Sequence, residues 1–144
     1  MRPEAATSDL FEEDRRRIAL DPGAAVLGGF AAGEGSGLVE AIEAVAAISP
    51  FRHLETPGGR RMSVAMTNCG ERGWVSDRRG YRYAELDPLT GRRWPPMPPL
   101  FRDLARRAAA EAGFPGFAPD VCLINRYAPG ARLSLHQDRD EGDL

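Results

Sequence analysis

Apolar residues Leu38, Ala41, Ile42, Val45 and Ile48 recur at three- and four-residue steps, which predicts an amphipathic helix over residues 37–48. Ser36 is placed to cap its start and Pro50 to stop it. A second helix is predicted over residues 99–112, with Pro99 in its first turn, Leu100, Leu104 and Ala108 on one face, and Gly113 at its end. Residues 60–67 alternate instead. Met62, Val64 and Met66 point one way, and Ser63, Ala65 and Thr67 the other, as in a strand with two distinct faces. Residues 24–30 read as a short strand bounded by glycines. Tyr81 and Tyr83 suggest another, in a stretch punctuated by Gly70, Gly73 and Gly80. Residues 121–127 and 132–136 read as a β-hairpin around a Pro-Gly-containing loop. Residues 56–59 form a turn, and residues 87–99 are too proline-rich for helix or inner strand.

Helices come early and strands late, which points to an α+β domain rather than to alternating βαβ units. A solvated arm or short helix is expected over residues 1–20 and one domain over residues 21–144. Two or three late strands make a poor sheet alone. The sequence is therefore expected to be the front part of a longer domain, with sheet edges and apolar faces left uncovered.

Composition narrows the class. The 144 residues suit one domain, and 42% hydrophobic with 28% charged residues is ordinary globular usage. The opening MRPEAATSDLFEEDRRR has no apolar core, so it is not a secretory signal. No apolar run approaches the ~20 residues that a bilayer requires. Cys69 and Cys122 cannot build a disulfide framework, no CxxC occurs, and both read as small, unreactive buried residues in a reducing cytosol. The net charge of −2 disfavours nucleic-acid binding by bulk positive charge. All 19 basic residues are arginine, however, so a local stripe could still make bidentate phosphate contacts.

The chemistry gathers near the end. His136 and Asp138 form an His-x-Asp pair, and in extended backbone such residues share a face. An imidazole and a carboxylate are part of the two-His, one-carboxylate set of non-haem Fe(II) oxygenases. Alone such a pair is more often a surface or hydrogen-bonded pair than a metal site. Asn125 and Tyr127 repeat the spacing on the preceding strand, and either can hydrogen-bond a carboxylate. Trp74 alone reads as a core anchor, Met62 and Met66 as core, and Arg78, Arg79 and Arg82 as solvated loop charges.

The segments TPGGRRMSVAMTNCGERGW, LDPLTGRRWPPMPP and CLINRYAPGARLSLHQDRDE resemble the AlkB family of Fe(II)/2-oxoglutarate-dependent dioxygenases, in its bacterial DNA-repair branch. The resemblance runs from about residue 24 to residue 144. It implies a double-stranded β-helix (jelly roll) with flanking N-terminal helices, incomplete in this chain. It implies His136 and Asp138 as Fe(II) ligands, and Asn125 and Tyr127 as hydrogen-bond partners of 2-oxoglutarate, with O₂ as the second cosubstrate. Trp74 would stack on a flipped methylated base, with His136 on the base's other face, and Tyr81 would touch a phosphate. Thr56, Met62 and Met66 would border the nucleotide pocket. Arg132, Arg139 and Asp140 would stand near the substrate. The activity implied is oxidative demethylation of bases such as 1-methyladenine and 3-methylcytosine in DNA or RNA, by a cytoplasmic monomer with no membrane partner. The family's second histidine and its two arginines for 2-oxoglutarate lie downstream of this motif, and His53 does not match that position. The chain alone is therefore expected to bind Fe(II) weakly and not to turn over. The alternatives are a non-catalytic nucleic-acid-binding remnant of the same fold and an oxygenase acting on RNA or protein.

Overall fold

The computed structural model describes residues 16–138. Its elements run β1 (Arg17–Asp21), β2 (Ala24–Leu27), a single 3-10 turn (Ala32–Glu34), α1 (Gly35–Ile48), β3 (Ala65–Gly70), β4 (Gly73–Asp77), β5 (Gly80–Ala84), α2 (Pro99–Glu111) and β6 (Val121–Arg126). The mixed helix and strand content agrees with the α+β expectation. Among the described residues the strands form three two-stranded antiparallel sheets, β1–β2, β3–β6 and β4–β5, rather than a closed jelly roll.

Both helices lie close to their predicted bounds because local signals set them. The 3-10 turn runs straight into α1, so Ser36 falls inside the first turn. Glu34 takes the cap position, without a side-chain cap bond. At the other end Ser49 turns extended before Pro50, its N–H donating to Val45 O at 2.9 Å. Helix α2 opens with Pro99, whose missing N–H costs nothing in a first turn. It closes at Gly113, where φ is +99°.

The strands depart further. Arg17–Asp21 pairs with β2 where a solvated arm or short helix was expected, although its residues are all exposed. Strand β3 starts at Ala65, not residue 60, because β6 offers register partners only from there, Ala65↔Arg126 through Gly70↔Val121. Its two distinct faces are both buried. Its other edge takes two backbone bonds from Arg52, which exchanges N–H and C=O with Met66. The hairpin of residues 121–136 does not form. The partner of β6 is β3, some 50 residues earlier, and residues 131–138 are irregular. A single hydroxyl replaces the ladder there. Ser63 Oγ donates to Arg132 O and accepts from Arg132 N, both at 2.9 Å.

The core sits between the β3–β6 sheet and the helices. Val45, Cys69, Met97 and Ile124 are buried together, flanked by Ile42, Phe51, Phe101 and Cys122. Both helices thus cover one face of that sheet. Gly37 in α1 lets Leu100 of α2 approach closely; a Cβ there would lie 3.2 Å from the leucine.

Beside this core lies a buried ion pair. Arg52 donates two hydrogen bonds to Asp87, at 2.6 and 2.7 Å, and its guanidinium sits 5.2 Å from the centroid of Trp94. Asp87 is fully buried. Trp94 Nε1 donates to Ala84 O at 2.9 Å, and its ring lies so close to Gly73 that a Cβ there would overlap it. The proline-rich loop is in this way fixed to the end of β5 and the start of β4.

Burial pushes the Asp87 carboxyl up, but the Arg52 hydrogen bonds and charge, with the Leu89 N–H, outweigh it and hold the group below its usual range. A depressed carboxylate contributes stability above its unfolded value, near pH 4. That contribution should vanish as pH falls through the lower folded value. Asp87→Ala should cost about 3–5 kcal/mol in urea unfolding at pH 7, because the arginine charge is left buried and unpaired. Gly73→Ala should cost about 1–3 kcal/mol, with a shift in tryptophan emission as Trp94 is displaced.

Candidate active site

Strand pairing builds one wall of the site. In the β4–β5 register Trp74 faces Tyr83 and Ser76 faces Tyr81, so these four side chains share a face. Trp74 and Tyr81 stack across the diagonal, with centroids 5.4 Å apart and planes 20° from parallel. Val75, Asp77 and Arg82 lie on the opposite face. There Arg82 and then Arg79 hold the Asp77 carboxyl well below the usual range. Arg82 is thus bound in an ion pair on the face away from Trp74.

The backbone of Trp74 is clamped by a residue that the sequence reading passed over. Asn68, buried on β3, accepts from Trp74 N–H and donates to Trp74 O, both at 3.0 Å. The signal was available: a buried amide between Met66 and Gly70 on one strand face needs partners that a β ladder does not supply. The Trp74 Nε1–H itself is buried and has no acceptor among the described residues.

The second wall is the irregular segment after β6. It crosses Ser63 and brings His136 and Asp138 together, Nε2 to Oδ1 3.3 Å. His136 Nδ1 lies 2.7 Å from Ser134 O. A carbonyl only accepts, so Nδ1 carries a proton, and ligation of a metal would fall to Nε2. Nε2 and the carboxylate oxygen face each other, close enough for an ion pair or for a shared cation. The donor set, one imidazole nitrogen and one carboxylate, fits Fe(II). Among the described residues no group of three or more His, Cys, Asp or Glu is placed to hold a metal ion.

Between the walls lies a cavity of about 390 Å³. Trp74, Tyr81, Thr56 and Met62 line it on one side, and Arg132, His136 and Asp138 on the other. Three of the expected residues are elsewhere. Met66 is buried in β3, opposite Asn125 in register, and does not reach the cavity. Asn125 and Tyr127 are exposed and do not line it. The reason is topological, since β6 follows β3 while the chain beyond Tyr127 turns away to reach Ser63. Arg139 and Asp140 lie outside the described residues. His53 bonds Met62 O through Nδ1 at 3.0 Å and is not part of the cavity.

Asn68→Ala should strip both partners from the Trp74 peptide groups. A loss of about 1–3 kcal/mol per group left unpaired is expected in urea unfolding. A rise in acrylamide quenching of tryptophan should accompany it.

The family model for the 2OG-Fe(II) oxygenase superfamily matches residues 23–144. The chain is 57% identical over 125 residues to the alpha-ketoglutarate-dependent dioxygenase AlkB of Escherichia coli K12, covering 87% of this chain and 58% of that protein. It is 56% identical over 137 residues to the protein of the same name from Salmonella typhimurium, covering 94% and 63%. A DNA N(6)-methyladenine demethylase of Arabidopsis thaliana, ALKBH1C, matches over 77 residues at 31% identity, 43% of this chain and 17% of that one. The chain therefore spans about three fifths of the length of these two bacterial relatives. By the family match and by these identities, the chain belongs to the 2OG-Fe(II) oxygenase superfamily and, within it, to the AlkB family.

Proposed function

We propose that this chain carries part of the active site of an oxidative dealkylase acting on N-methylated bases, such as 1-methyladenine and 3-methylcytosine, in DNA or RNA. The observation that carries the reading is one cavity with a stacked Trp74–Tyr81 pair on one wall and the His136–Asp138 pair on the other. The relatives' names agree in reaction type. We place the strands in a double-stranded β-helix and the protein, as a monomer, in the cytoplasm; among the described residues no helix is long and apolar enough to cross a membrane.

His136 Nε2 and an Asp138 oxygen are the groups that would hold Fe(II). With 2-oxoglutarate and O₂, the bound metal supplies what no side chain can, oxidation of an N-methyl carbon, leaving formaldehyde, succinate, CO₂ and the repaired base. Ser134 O keeps the His136 ring in the tautomer that ligation needs. Asn125 and Tyr127, both exposed, are the donors for 2-oxoglutarate. Trp74 receives a base extruded from its stack, which offsets about 1–3 kcal/mol of lost stacking. A methylated adenine or cytosine is cationic, so the indole adds a cation–π attraction. Met62 adapts to more than one base outline. Thr56 borders the base, Met66 supports the wall from within β3, and the exposed Tyr81 faces a phosphate. Arg132 and Asp140 flank the substrate.

A second reading, nucleic-acid binding without turnover, is favoured for this chain alone by the absence of a third ligand among the described residues. One experiment separates the two. Fuse residues 1–144 to the part of the Escherichia coli relative that the match leaves out, and assay formaldehyde from methylated single-stranded DNA. Release should need Fe(II), 2-oxoglutarate and O₂ together, Asp138→Ala should abolish it, and the unfused chain should give none. A fusion that binds methylated DNA without releasing formaldehyde would favour the second reading. Trp74→Ala should weaken binding of the methylated oligonucleotide by roughly 5- to 150-fold, the equivalent of one base stack.

A further inference from the structure

Cys69 and Cys122 occupy directly opposed positions of the β3–β6 ladder. Glu71 N–H donates to Asp120 O, its own opposite number, two residues along the same register. Residues two apart on such a ladder repeat the same pairing type, so Cys69 and Cys122 are a hydrogen-bonded pair with Cα atoms about 5.5 Å apart. That separation lies in the range a disulfide bridges, about 4.4–6.8 Å. Opposed residues also share a face, and both thiols turn toward the same core cluster. Both are free.

The two thiols differ in a useful way. Cys69 is fully buried. Cys122 is half-buried, and its S–H donates to Leu123 O at 3.9 Å. The neighbouring Cys69 side chain holds the Cys122 thiol below its ordinary range, while Cys122 and burial push Cys69 up. Cys122 is thus the more reachable thiol and the one inclined to ionise, with the fully buried Cys69 directly opposite it.

We propose that Cys122 and Cys69 are an oxidative modification site, a cross-strand dithiol that a hydroperoxide converts to a disulfide tying β6 to β3. The Cys122 thiolate attacks one peroxide oxygen. An S–O bond forms, the O–O bond breaks, and the departing alkoxide or hydroxide takes a proton. The Cys69 sulfur then attacks the Cys122 sulfenic acid. An S–S bond forms, the S–O bond breaks, and hydroxide leaves as water with the Cys69 proton. The balance is two thiols and one hydroperoxide to one disulfide, one alcohol (water from hydrogen peroxide) and one water. Two electrons pass from sulfur to the peroxide. The bond would fix Asn125, three residues beyond Cys122, against β3.

The test uses the full chain, reduced and metal-free, treated with a stoichiometric amount of hydrogen peroxide. Thiols are then alkylated with iodoacetamide in denaturant and the intact mass is read. The expected product is a monomer 2 Da lighter that takes up no alkyl group, where the reduced chain takes up two, and dithiothreitol restores both. Cys69→Ala should stop at a Cys122 sulfenic acid trapped by dimedone. Cys122→Ala should leave Cys69 unreacted over the same time. Circular dichroism establishes that each variant is folded, and the wild-type mass stands without them. Two alkylated thiols after treatment, a disulfide-linked dimer, a sulfinic acid in place of the bridge, or equal reactivity of Cys69 in Cys122→Ala would each overturn the proposal.

Discussion

The Arg52–Asp87 pair is the constraint on which the rest of the described structure rests. A bidentate contact between a fully buried carboxylate and a nearly buried guanidinium is costly to form, since both charges leave water. Once formed, it cannot lose a partner cheaply. Arg52 also closes the free edge of β3 through its backbone and stacks over Trp94. Asp87 also organises the loop behind it, accepting from Leu89 N–H through its side chain and from Gly91 N–H through its carbonyl. Three stretches distant in sequence are thereby held together: the exit of α1, strand β3 and the proline-rich loop. Proline removes backbone donors from that loop, so side-chain anchors such as Asp87 and Trp94 replace the missing ladder.

The candidate site inherits its order from this frame unevenly. Its aromatic wall is rigid, because Asn68 grips the Trp74 peptide from one side and the Trp94–Gly73 contact supports the strand start from the other. Its ligand wall is irregular backbone. Beyond β6, one serine hydroxyl carries both backbone bonds of Arg132, and the next fixed point is the His136 bond to Ser134 O. Leu123, Tyr127, Leu133 and Leu135 stand exposed on and beyond β6. A platform for a flat ligand is built firmly here, and the paired donors opposite it sit on irregular backbone rather than on a ladder. Chemistry of the proposed kind needs both walls at a fixed distance.

Much of the local structure was legible from residue order alone. The period of α1, the Pro99 start and Gly113 stop of α2, and the apolar run of β6 are encoded within a dozen residues each, and they lie where the pattern put them. The His136–Asp138 pair and the three motif segments pointed to the family, which the matches bear out. Local encoding works there because helix periodicity and capping depend on neighbours a turn or two away.

What only the tertiary structure decided is non-local. Residues 121–126 could have paired with residues 132–136 through a short turn, and the alternation in both made that pairing look cheap. They pair with β3 instead, because burying Ile124 and Cys122 against Cys69, Val45 and Met97 brings more than closing a hairpin with no core behind it. That choice sets β3 between two partners, buries Met66 away from the cavity, and makes Asn68 a clamp rather than a surface polar residue. It also seats the two cysteines opposite each other. Sequence determined which residues could be strand, helix or ligand. Burial decided which of them meet, because the free energy of a contact belongs to the pair and not to either residue's neighbours in the chain.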